Sequence, residues 1–375
     1  MRVLHTSDWH LGRTFHRESL LGAQGAFVDH LLETVRAERV EVVAIAGDLY
    51  DRALPPVDAV ALCDEALRRL VAAGAQVVII SGNHDSATRL GFGTDLMGAA
   101  GVHLRTDPAR AWEPVTIGEV SFYGIPYLEP ELVRGPWELA ERSHSAAIGH
   151  AMARVRADAA ARGTRSVVLA HAFVTGGRAS DSERDISVGG VAHVPVTAFD
   201  GADYVALGHL HGSQRMTETM RYSGSPIAYS FSEAGQVKGS WLVELGPGGM
   251  TGAEFVPAPV PRPIGRLRGR LADLLADPRH AAVEEHWLQV TLTDPIRPKA
   301  AMERLRARFP HTLALSFEPE GGDAPARAPA RSAGRPDIEV ALDFVRDVRG
   351  EPADEQERRL LEQALAACRL KETTA

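Results

Sequence analysis

Short apolar runs alternate with longer segments rich in Ala, Leu and Arg along the N-terminal part of the chain. The apolar runs, which predict buried strands, are residues 3–6, 42–46, 77–80, 120–126, 166–170 and 204–208. The longer segments, which predict helices, lie near 18–38, 57–73 and 137–162. This alternation favours βαβ units in a layered α/β sheet. After about residue 213 the pattern predicts hairpin-like strands, as in MRYSGSPIAYSF and GSWLVEL.

Changes in amino-acid composition predict the domain boundaries in the rest of the chain. Residues 257–263, PAPVPRP, predict a linker, so a first domain closes at about residue 258. Two helical segments and two strand-like segments predict a small α+β domain over 262–318. Residues 319–336 have too few apolar side chains to pack and predict a flexible segment. Residues 337–375 predict two amphipathic helices, which either dock on the body of the protein or bind a partner.

Hydrophobic content, net charge and cysteine count limit the classes of protein to which this chain can belong. The 375 residues are 45% hydrophobic, which is enough for a sizeable core. The formal net charge of −8 excludes a uniformly basic nucleic-acid binder, so DNA would be bound by local cations or metal. Cys63 and Cys368 lie far apart, which argues against disulfides and thiolate metal sites. No apolar leader or membrane-length apolar run is present, so we expect a cytoplasmic protein without membrane association.

Polar side chains follow five of the predicted strands. They are Asp8 and His10, then Asp48 and Asp51, then Asn83, His84 and Asp85, then His171, and finally His209 and His211. The carboxyl ends of parallel strands open into one crevice, so these groups are expected to converge. Mixed nitrogen and oxygen donors without thiolate suit Mn²⁺, Fe²⁺ or Zn²⁺.

We therefore predict a site for two divalent cations. Its seven ligands are Asp8, His10, Asp48, Asn83, His171, His209 and His211. Two cations held close together need a bridging carboxylate against their mutual repulsion, and Asp48 is the natural choice. Gly47 and Gly82 are expected to let the backbone turn sharply beside the metals.

These residues carry a family resemblance. The motifs DWH, GDLYDR, GNHD, VVLAH and GHLH resemble, in the same order, the signature of the calcineurin-like metallophosphoesterases. HTSDWHLGRTF, SGNHDSATRL, GGRASDSERDISVGG and YSGSPIAYSFSE are similar to the SbcD family, the nuclease subunits of bacterial SbcCD complexes. The resemblance covers roughly residues 1–245. It implies a four-layer α/β/β/α sandwich with a small α+β capping domain and C-terminal partner-binding helices.

The resemblance also implies a ligand partition and an activity. Asp8, His10, Asp48 and His211 would hold one cation, and Asp48, Asn83, His171 and His209 the other. Mn²⁺ is the implied metal, with Fe²⁺, Zn²⁺ or Mg²⁺ as alternatives. The implied activity is exonuclease and endonuclease hydrolysis of DNA at duplex ends and hairpins, in repair, recombination and replication. Implied partners are an SbcC-type coiled-coil ATPase, bound by helices near 337–370, and a second copy, bound by helices near 57–73 and 86–100.

His84 has a separate predicted role. Adjacent side chains diverge, so a ligand at Asn83 leaves His84 free to protonate the departing 3′ oxygen. In phosphatase relatives the carboxylate at the place of Asp51 orients this histidine; the alternative for Asp51 is a helix or turn cap. Asp85 is predicted to cap the helix that follows it.

Further residues are candidate substrate contacts. Arg13, Arg17, Arg52 and Arg89 lie in or beside the motif loops, where each either meets DNA phosphates or is a solvated surface residue. His193 lies in a Gly-rich loop, where a structural role outweighs substrate contact. The segment TGGRASDSERDISVGG is either a mobile loop or, as the resemblance implies, one that faces substrate.

Two other functions compete with a nuclease. A phosphatase for phosphoproteins or small phosphoesters would use the same centre, but it does not require the extra domain and the tail helices. A metal-free binding scaffold would use the fold alone, but all seven predicted ligands are present.

Overall fold

The computed structural model describes residues 1–186, 193–320 and 337–373. The strands are β1 (Arg2–Thr6), β2 (Thr14–Phe15), β3 (Glu18–Ser19), β4 (Val42–Ala46), β5 (Gln76–Ile80), β6 (Val102–Arg105), β7 (Val115–Ile117), β8 (Val120–Ile125), β9 (Arg165–His171), β10 (Phe173–Val174), β11 (His193–Val194), β12 (Tyr204–Gly208), β13 (Gln214–Arg215), β14 (Met220–Tyr222), β15 (Gly239–Gly246), β16 (Gly249–Pro257), β17 (Ile264–Gly269), β18 (Trp287–Leu292) and β19 (Thr312–Phe317). The α-helices are α1 (Leu21–Ala37), α2 (Val57–Ala72), α3 (Ala87–Leu90), α4 (Thr94–Ala99), α5 (Pro130–Arg134), α6 (His144–Arg162), α7 (Leu271–Ala276), α8 (Ala301–Arg306), α9 (Asp337–Arg349) and α10 (Glu355–Thr373).

Two six-stranded sheets form the middle layers of a four-layer α/β/β/α sandwich. The first has the strand order β16-β15-β1-β4-β5-β6, and the second has the order β13-β14-β12-β9-β8-β7. Facing side chains of the two sheets form one buried cluster, which includes Val78, Phe122 and Leu169. Helices α1 and α2 cover the outer face of the first sheet, and α6 covers that of the second. The predicted α/β sandwich is confirmed.

Burial on both faces explains the continuous apolar runs in the sequence. Val42 and Ala44 of β4 contribute to the cluster between the sheets, whereas Val43 and Ile45 contribute to the cluster under α1 and α2. Successive residues of a strand point to opposite faces, so a strand covered on both sides is apolar at every position.

The parallel strands bring their carboxyl ends together. β1, β4, β5 and β6 pair in parallel in the first sheet. β8, β9, β12 and β14 do so in the second. Antiparallel strands complete one edge of the first sheet, through the β15–β16 hairpin, and both edges of the second, through β13 and β7. The predicted ligands lie at the carboxyl end of β9, as His171, and in the loops after β1, β4, β5 and β12.

The chain divides into two compact units. The first comprises Met1–Arg266, Ala281–Gln289 and Phe309–Ala314, and the second comprises Leu267–His280, Val290–Arg308 and Leu315–Ala375. The first unit contains both large sheets. The second contains α7 and α8, whose Leu271, Leu274 and Leu305 are buried.

The domain boundaries expected at residues 258, 262, 318 and 336 stay predictions. Residues 321–336 of the predicted flexible segment lie outside the described residues, as do residues 187–192 of the Gly-rich loop. In α9 and α10, none of the side chains that the structure describes is fully buried.

Two elements differ from the sequence prediction. The helix expected near 137–162 begins only at His144, because the Ser143 side chain caps it by accepting a hydrogen bond from the Ala146 amide. In MRYSGSPIAYSF only Met220–Tyr222 is a strand. Gly224, with φ of +77°, turns the chain, and the following segment is irregular.

Across the described part of the chain, every helix is too short or too polar to cross a bilayer.

Candidate metal centre

All seven predicted ligands lie at the ends of five strands of the two central sheets. Asp8, His10, Asp48, His171, His209 and His211 are at most 3% exposed, and Asn83 is half-buried. Buried imidazoles and carboxylates are costly unless they pair or bind a cation, so this concentration marks a site.

One donor group contains Asp8, His10 and His211, which offer ligand atoms within 4.8 Å of one another. The Nε2 atoms of His10 and His211 are 3.1 Å apart. Asp8 is oriented by the hydroxyl of Ser7, which donates to Oδ2 at 2.5 Å, and by the amide of His209, which donates to Oδ1 at 3.0 Å.

A second donor group surrounds Asn83. Its Oδ1 atom is 2.9 Å from Nε2 of His171 and 3.2 Å from Nδ1 of His209. Asp48 lies between the two groups, because its Oδ2 atom is 3.5 Å from Nε2 of His10 and 3.5 Å from Nε2 of His171. This is the place that a bridging carboxylate must take.

The backbone of the centre is strained. Asp8, His10, Asp48 and His209 have φ of 54°, 44°, 49° and 105°, in the left-handed region. Each such residue costs on the order of 1–3 kcal/mol, and such strain clusters at functional sites. Hydrogen bonds from the amides of Asp8 and His10 to the carbonyls of Gly47 and Asp48, both 3.0 Å, hold the strained loops.

Two glycines make room for the ligands in different ways. Gly47 has φ of +92° and turns the chain as predicted. Gly82 has no such φ; a Cβ atom there would collide with the carboxylate of Asp48. Glycine at position 82 is therefore required by the close approach of Asp48 and not by a left-handed φ.

Gly82→Ala is expected to weaken metal binding about 10- to 100-fold, the usual effect of disturbing the support of a ligand. Calorimetric titration with Mn²⁺ measures this change. Gly25→Ala is the matched control, because a Cβ atom at Gly25 in α1 meets open space. Equal affinities of the two variants would contradict the position assigned to Asp48.

The protein alone does not favour charged carboxylates here. Burial raises the pKa of Asp8 and of Asp48, and Asp48 raises that of Asp8 further. Burial lowers the pKa of His10 and His209, and it lowers the pKa of His171 to about 4. These three imidazoles are thus neutral, the form that binds metals. Bound cations would restore the carboxylate charges, so the donor set fits divalent metal ions.

Contacts behind the ligands set their tautomers. His171 donates from Nδ1 to the carbonyl of Ala46 at 3.0 Å, which leaves the Nε2 lone pair for the centre. His211 contacts the hydroxyl of Ser182 through Nδ1 at 2.6 Å, and its amide donates to Glu183 at 2.8 Å. Sequence reasoning assigned no role to Ser182 or Glu183, although both lie in a segment that carries the family resemblance.

A buried ion pair supports His211 from behind. Ser182 donates to Oε1 of Glu233 at 2.5 Å, and Lys238 donates to Oε2 of Glu233 at 2.5 Å and to the carbonyl of His211 at 2.7 Å. Burial opposes ionisation of Glu233, but hydrogen bonding with His211 and the charge of Lys238 lower the pKa of the carboxyl below its usual range. The sequence carried no signal for Lys238.

His84 lies inside the centre, beside the ligand residues. Its Nδ1 atom donates to the carbonyl of Asp51 at 2.7 Å, and its ring centroid is 4.6 Å from that of His10. One of its nitrogens lies within 4.8 Å of donor atoms of His10 and Asp48. Burial lowers the pKa of His84, and the carboxylate of Asp48 opposes that shift.

The expected role of the Asp51 carboxylate needs correction. The carbonyl of Asp51, and not its side chain, accepts the hydrogen bond from His84. The carboxylate lies 3.7 Å from Nδ1 of His10 and 3.6 Å from the guanidinium of Arg13. Its contact is therefore with a predicted ligand and a cation.

Asp85 does not cap a helix. Its carboxylate accepts hydrogen bonds from the amides of Leu49, Tyr50 and Gly82, at 3.1, 2.9 and 2.9 Å. The cap of α3 is Ser86, whose hydroxyl accepts from the Arg89 amide. Asp85 thus ties the loop after β4 to the loop after β5.

The predicted phosphate-binding arginines separate into two groups. Arg13 lies at the centre, where it donates to the carbonyl of Ser182 at 3.0 Å and stacks over the ring of Tyr229. Arg52 and Arg89 are exposed and line a cavity of about 440 Å³ beside α2. Arg17 is exposed as well.

A further cation, missed in the sequence, borders the centre. Arg184 donates to the carbonyl of Asn83 at 3.4 Å, and its charge acts to lower the pKa of both Asp48 and His84. Its segment was predicted either to be mobile or to face substrate, without a role for any single residue. His193, which follows that segment in the chain, is exposed and stacks on Phe173.

Two protein families match parts of this chain. Residues 1–213 match the calcineurin-like phosphoesterase family. Residues 260–349 match the SbcD C-terminal family, described as the type 5 capsule protein repressor C-terminal domain.

Three solved structures are among those similar to this chain. A dimetal phosphatase from Danio rerio is 13% identical over 69% of this chain and 99% of that chain, with a TM-score of 0.40. The calcineurin-like phosphoesterase YfkN from Bacillus subtilis is 12% identical over 68% and 90%, with a TM-score of 0.31. An archaeal phosphodiesterase is 11% identical over 68% and 100%, with a TM-score of 0.31.

The match to the first family extends over more than half of the 375 residues and includes every residue of the donor cluster. The chain therefore belongs to the calcineurin-like phosphoesterase family, and it is a metal-dependent hydrolase whose centre is suited to divalent metal ions.

Proposed function

We propose that this chain is a Mn²⁺-dependent DNA nuclease of the cytoplasm that cleaves phosphodiester bonds at duplex ends and hairpins. The observation that carries the proposal is the combination of a phosphoesterase centre with a C-terminal segment, residues 260–349, that matches the SbcD C-terminal family. A phosphatase for small esters needs no such segment.

The chain's own residues supply positioning and proton transfer. When bound, two cations activate water and offset charge on the phosphoryl oxygens. Asp48 bridges the two donor groups, with Asp8, His10 and His211 on one side and Asn83, His171 and His209 on the other. His84 protonates the departing 3′ oxygen, and the carbonyl of Asp51 holds its ring through Nδ1.

Substrate phosphates meet local cations, since the net charge of the chain is −8. Arg13 contacts Ser182 and Arg184 contacts Asn83, so guanidinium groups border both donor groups. Guanidinium groups bind phosphate oxygens with two parallel hydrogen bonds. Arg52 and Arg89 contact DNA from the cavity beside α2, farther from the donor groups than Arg13 and Arg184.

Exposed apolar side chains around α2, α3 and α4 support a homodimer. Val57, Phe92 and Leu96 are 86%, 85% and 81% exposed, and Leu54 is 63% exposed. Clustered exposed apolar residues mark interaction surfaces. The partner proposed for this surface is a second copy of the chain, which would place two centres on one DNA molecule.

The tail helices are proposed to bind an SbcC-type coiled-coil ATPase. Phe344 of α9 and Leu360 of α10 are 67% and 59% exposed. An ion pair between Arg349 and Glu357 joins the two helices. Amphipathic helices with exposed apolar faces are suited to pack against another helix.

Deletion of residues 330–375 is expected to leave basal phosphodiesterase activity unchanged and to abolish stimulation by ATP in the presence of the coiled-coil ATPase. The residues of the centre all lie before residue 234, which is why the basal rate is retained. Rates with and without ATP measure the effect. Persistent stimulation would exclude the tail as the docking site.

The proposed function is tested by incubating the purified chain and Mn²⁺ with linear duplex DNA, hairpin DNA and a mononucleotide ester, with and without the ATPase. Cleavage of duplex ends and hairpins that stops on chelation of the metal is expected. Hydrolysis of the ester without cleavage of DNA would favour the phosphatase, and failure to bind metal would favour the scaffold.

A further inference from the structure

An aromatic pair lies beside the second donor group. Phe173 of β10 and His193 of β11 face each other in a parallel strand pair, with their rings stacked at 4.3 Å between centroids and 27° between planes. Phe173 is half-buried and His193 is exposed. The strand pairing sets the register of the two residues, so the backbone itself holds the rings together.

The pair is connected to the centre through His209. The ring of Phe173 lies 6.0 Å from that of His209, whose Nδ1 atom is 3.2 Å from Asn83. The roles assigned above to ligands, acid and arginines leave both rings without a function. Phe173 thus lies one ring away from the second donor group, and His193 continues the aromatic surface outward to solvent.

We propose that Phe173 and His193 form a stacking platform for the nucleobase adjacent to the bound phosphate. The proposal rests on the nuclease function and deepens it, since it assigns nucleotides, and not phosphoesters in general, as the substrate class. A planar exposed imidazole on a phenyl ring offers a face to any base. Stacking of this kind tolerates all sequences, as an end-processing nuclease requires.

A second stacked pair in the same protein provides a control. His150 of α6 stacks on Trp137 at 5.0 Å and 14°, and Trp137 also contacts Trp112. Trp112 and Trp137 pack against the core cluster under α6. Replacing His150 removes a histidine ring from an aromatic neighbour in the same way, but it leaves the surroundings of His209 unchanged.

The direct test measures binding to the Mn²⁺-loaded full-length chain of two ligands that share a phosphate, dAMP and deoxyribose 5-phosphate. His193→Ala is expected to weaken dAMP binding about tenfold and to leave deoxyribose 5-phosphate binding unchanged, because only dAMP has a base to stack. His193→Phe should restore dAMP affinity, and His150→Ala should not alter it. Equal losses for both ligands, or no loss for either, would overturn the proposal.

Phe173→Leu provides a second variant that keeps an apolar side chain at the half-buried position. It is expected to weaken dAMP binding selectively, since His193 loses the ring that supports it. An unchanged preference for dAMP over deoxyribose 5-phosphate in this variant would also refute the platform.

Cleavage assays separate this proposal from the nuclease function. Oligonucleotides with normal and with abasic nucleotides should be cleaved at different rates by the native chain and at similar rates by His193→Ala. A native chain that prefers dAMP through His193 but cleaves no DNA would retain the platform and refute the nuclease. Cleavage of DNA without any dependence on the base would retain the nuclease function and refute the platform.

Discussion

Asp48→Asn is expected to lower the rate of DNA hydrolysis about 10³-fold, which corresponds to a loss of roughly 4 kcal/mol in transition-state stabilisation. The Oδ2 atom of Asp48 is equally distant from His10 and His171, so its charge serves both donor groups. Asparagine keeps the volume and the oxygen that accepts from the His84 amide at 2.9 Å. The change therefore tests charge more than shape.

Two measurements are needed for Asp48→Asn. Calorimetric titration with Mn²⁺ should give fewer than two tightly bound ions, and the rate of oligonucleotide cleavage should fall in parallel. Asp29→Asn is the control, because Asp29 is 60% exposed in an ion pair with Arg69, and exposed pairs contribute little. Full activity of Asp48→Asn with two bound ions would refute the bridging role.

His84→Gln is expected to lower the rate of DNA cleavage about 10²–10⁴-fold, the typical contribution of a general acid, while both Mn²⁺ ions remain bound. The loss should be smaller for an ester with a p-nitrophenyl leaving group, because such a group departs without a proton. This dependence on the leaving group distinguishes proton donation from a general disturbance of the centre.

The His84→Gln variant also tests whether His84 acts as a general acid or as a metal ligand. His84 lies within the donor cluster, so its position alone is compatible with a contact to a cation. Weakened metal binding with equal losses for good and poor leaving groups would place His84 in the ligand set. His103→Gln is the matched control, since His103 is a half-buried histidine on β6 that bonds to Gln76 at 2.8 Å.

Much of the central fold was predictable because its strands are buried on both faces. The predicted strand 42–46 coincides with β4, and the predicted strand 204–208 coincides with β12. Such strands appear as continuous apolar runs, and the polar residues that follow them are conspicuous. Irregular segments carry no comparable signal, so the late start of α6 and the shortness of β14 were not foreseen.

The supporting contacts were not predictable, because they join residues far apart in the chain. Ser182 reaches Glu233 and Arg184 reaches Asn83 across 51 and 101 positions. The role of Asp85 also depends on a loop beyond its own segment, where its carboxylate accepts from Leu49 and Tyr50. No local pattern of spacing encodes these pairs.

By itself, the sequence determined the chemistry available at the centre: seven nitrogen and oxygen donors without thiolate, placed after apolar strands that must be buried. The bridging place of Asp48 was already expected from the sequence, whereas the tertiary structure alone decided the distances between the donors and that a carbonyl instead of a carboxylate holds His84. The physical reason is that side-chain identity sets which atoms can donate or accept. The distances between those atoms depend on how two sheets pack and on left-handed loops that only the folded chain maintains.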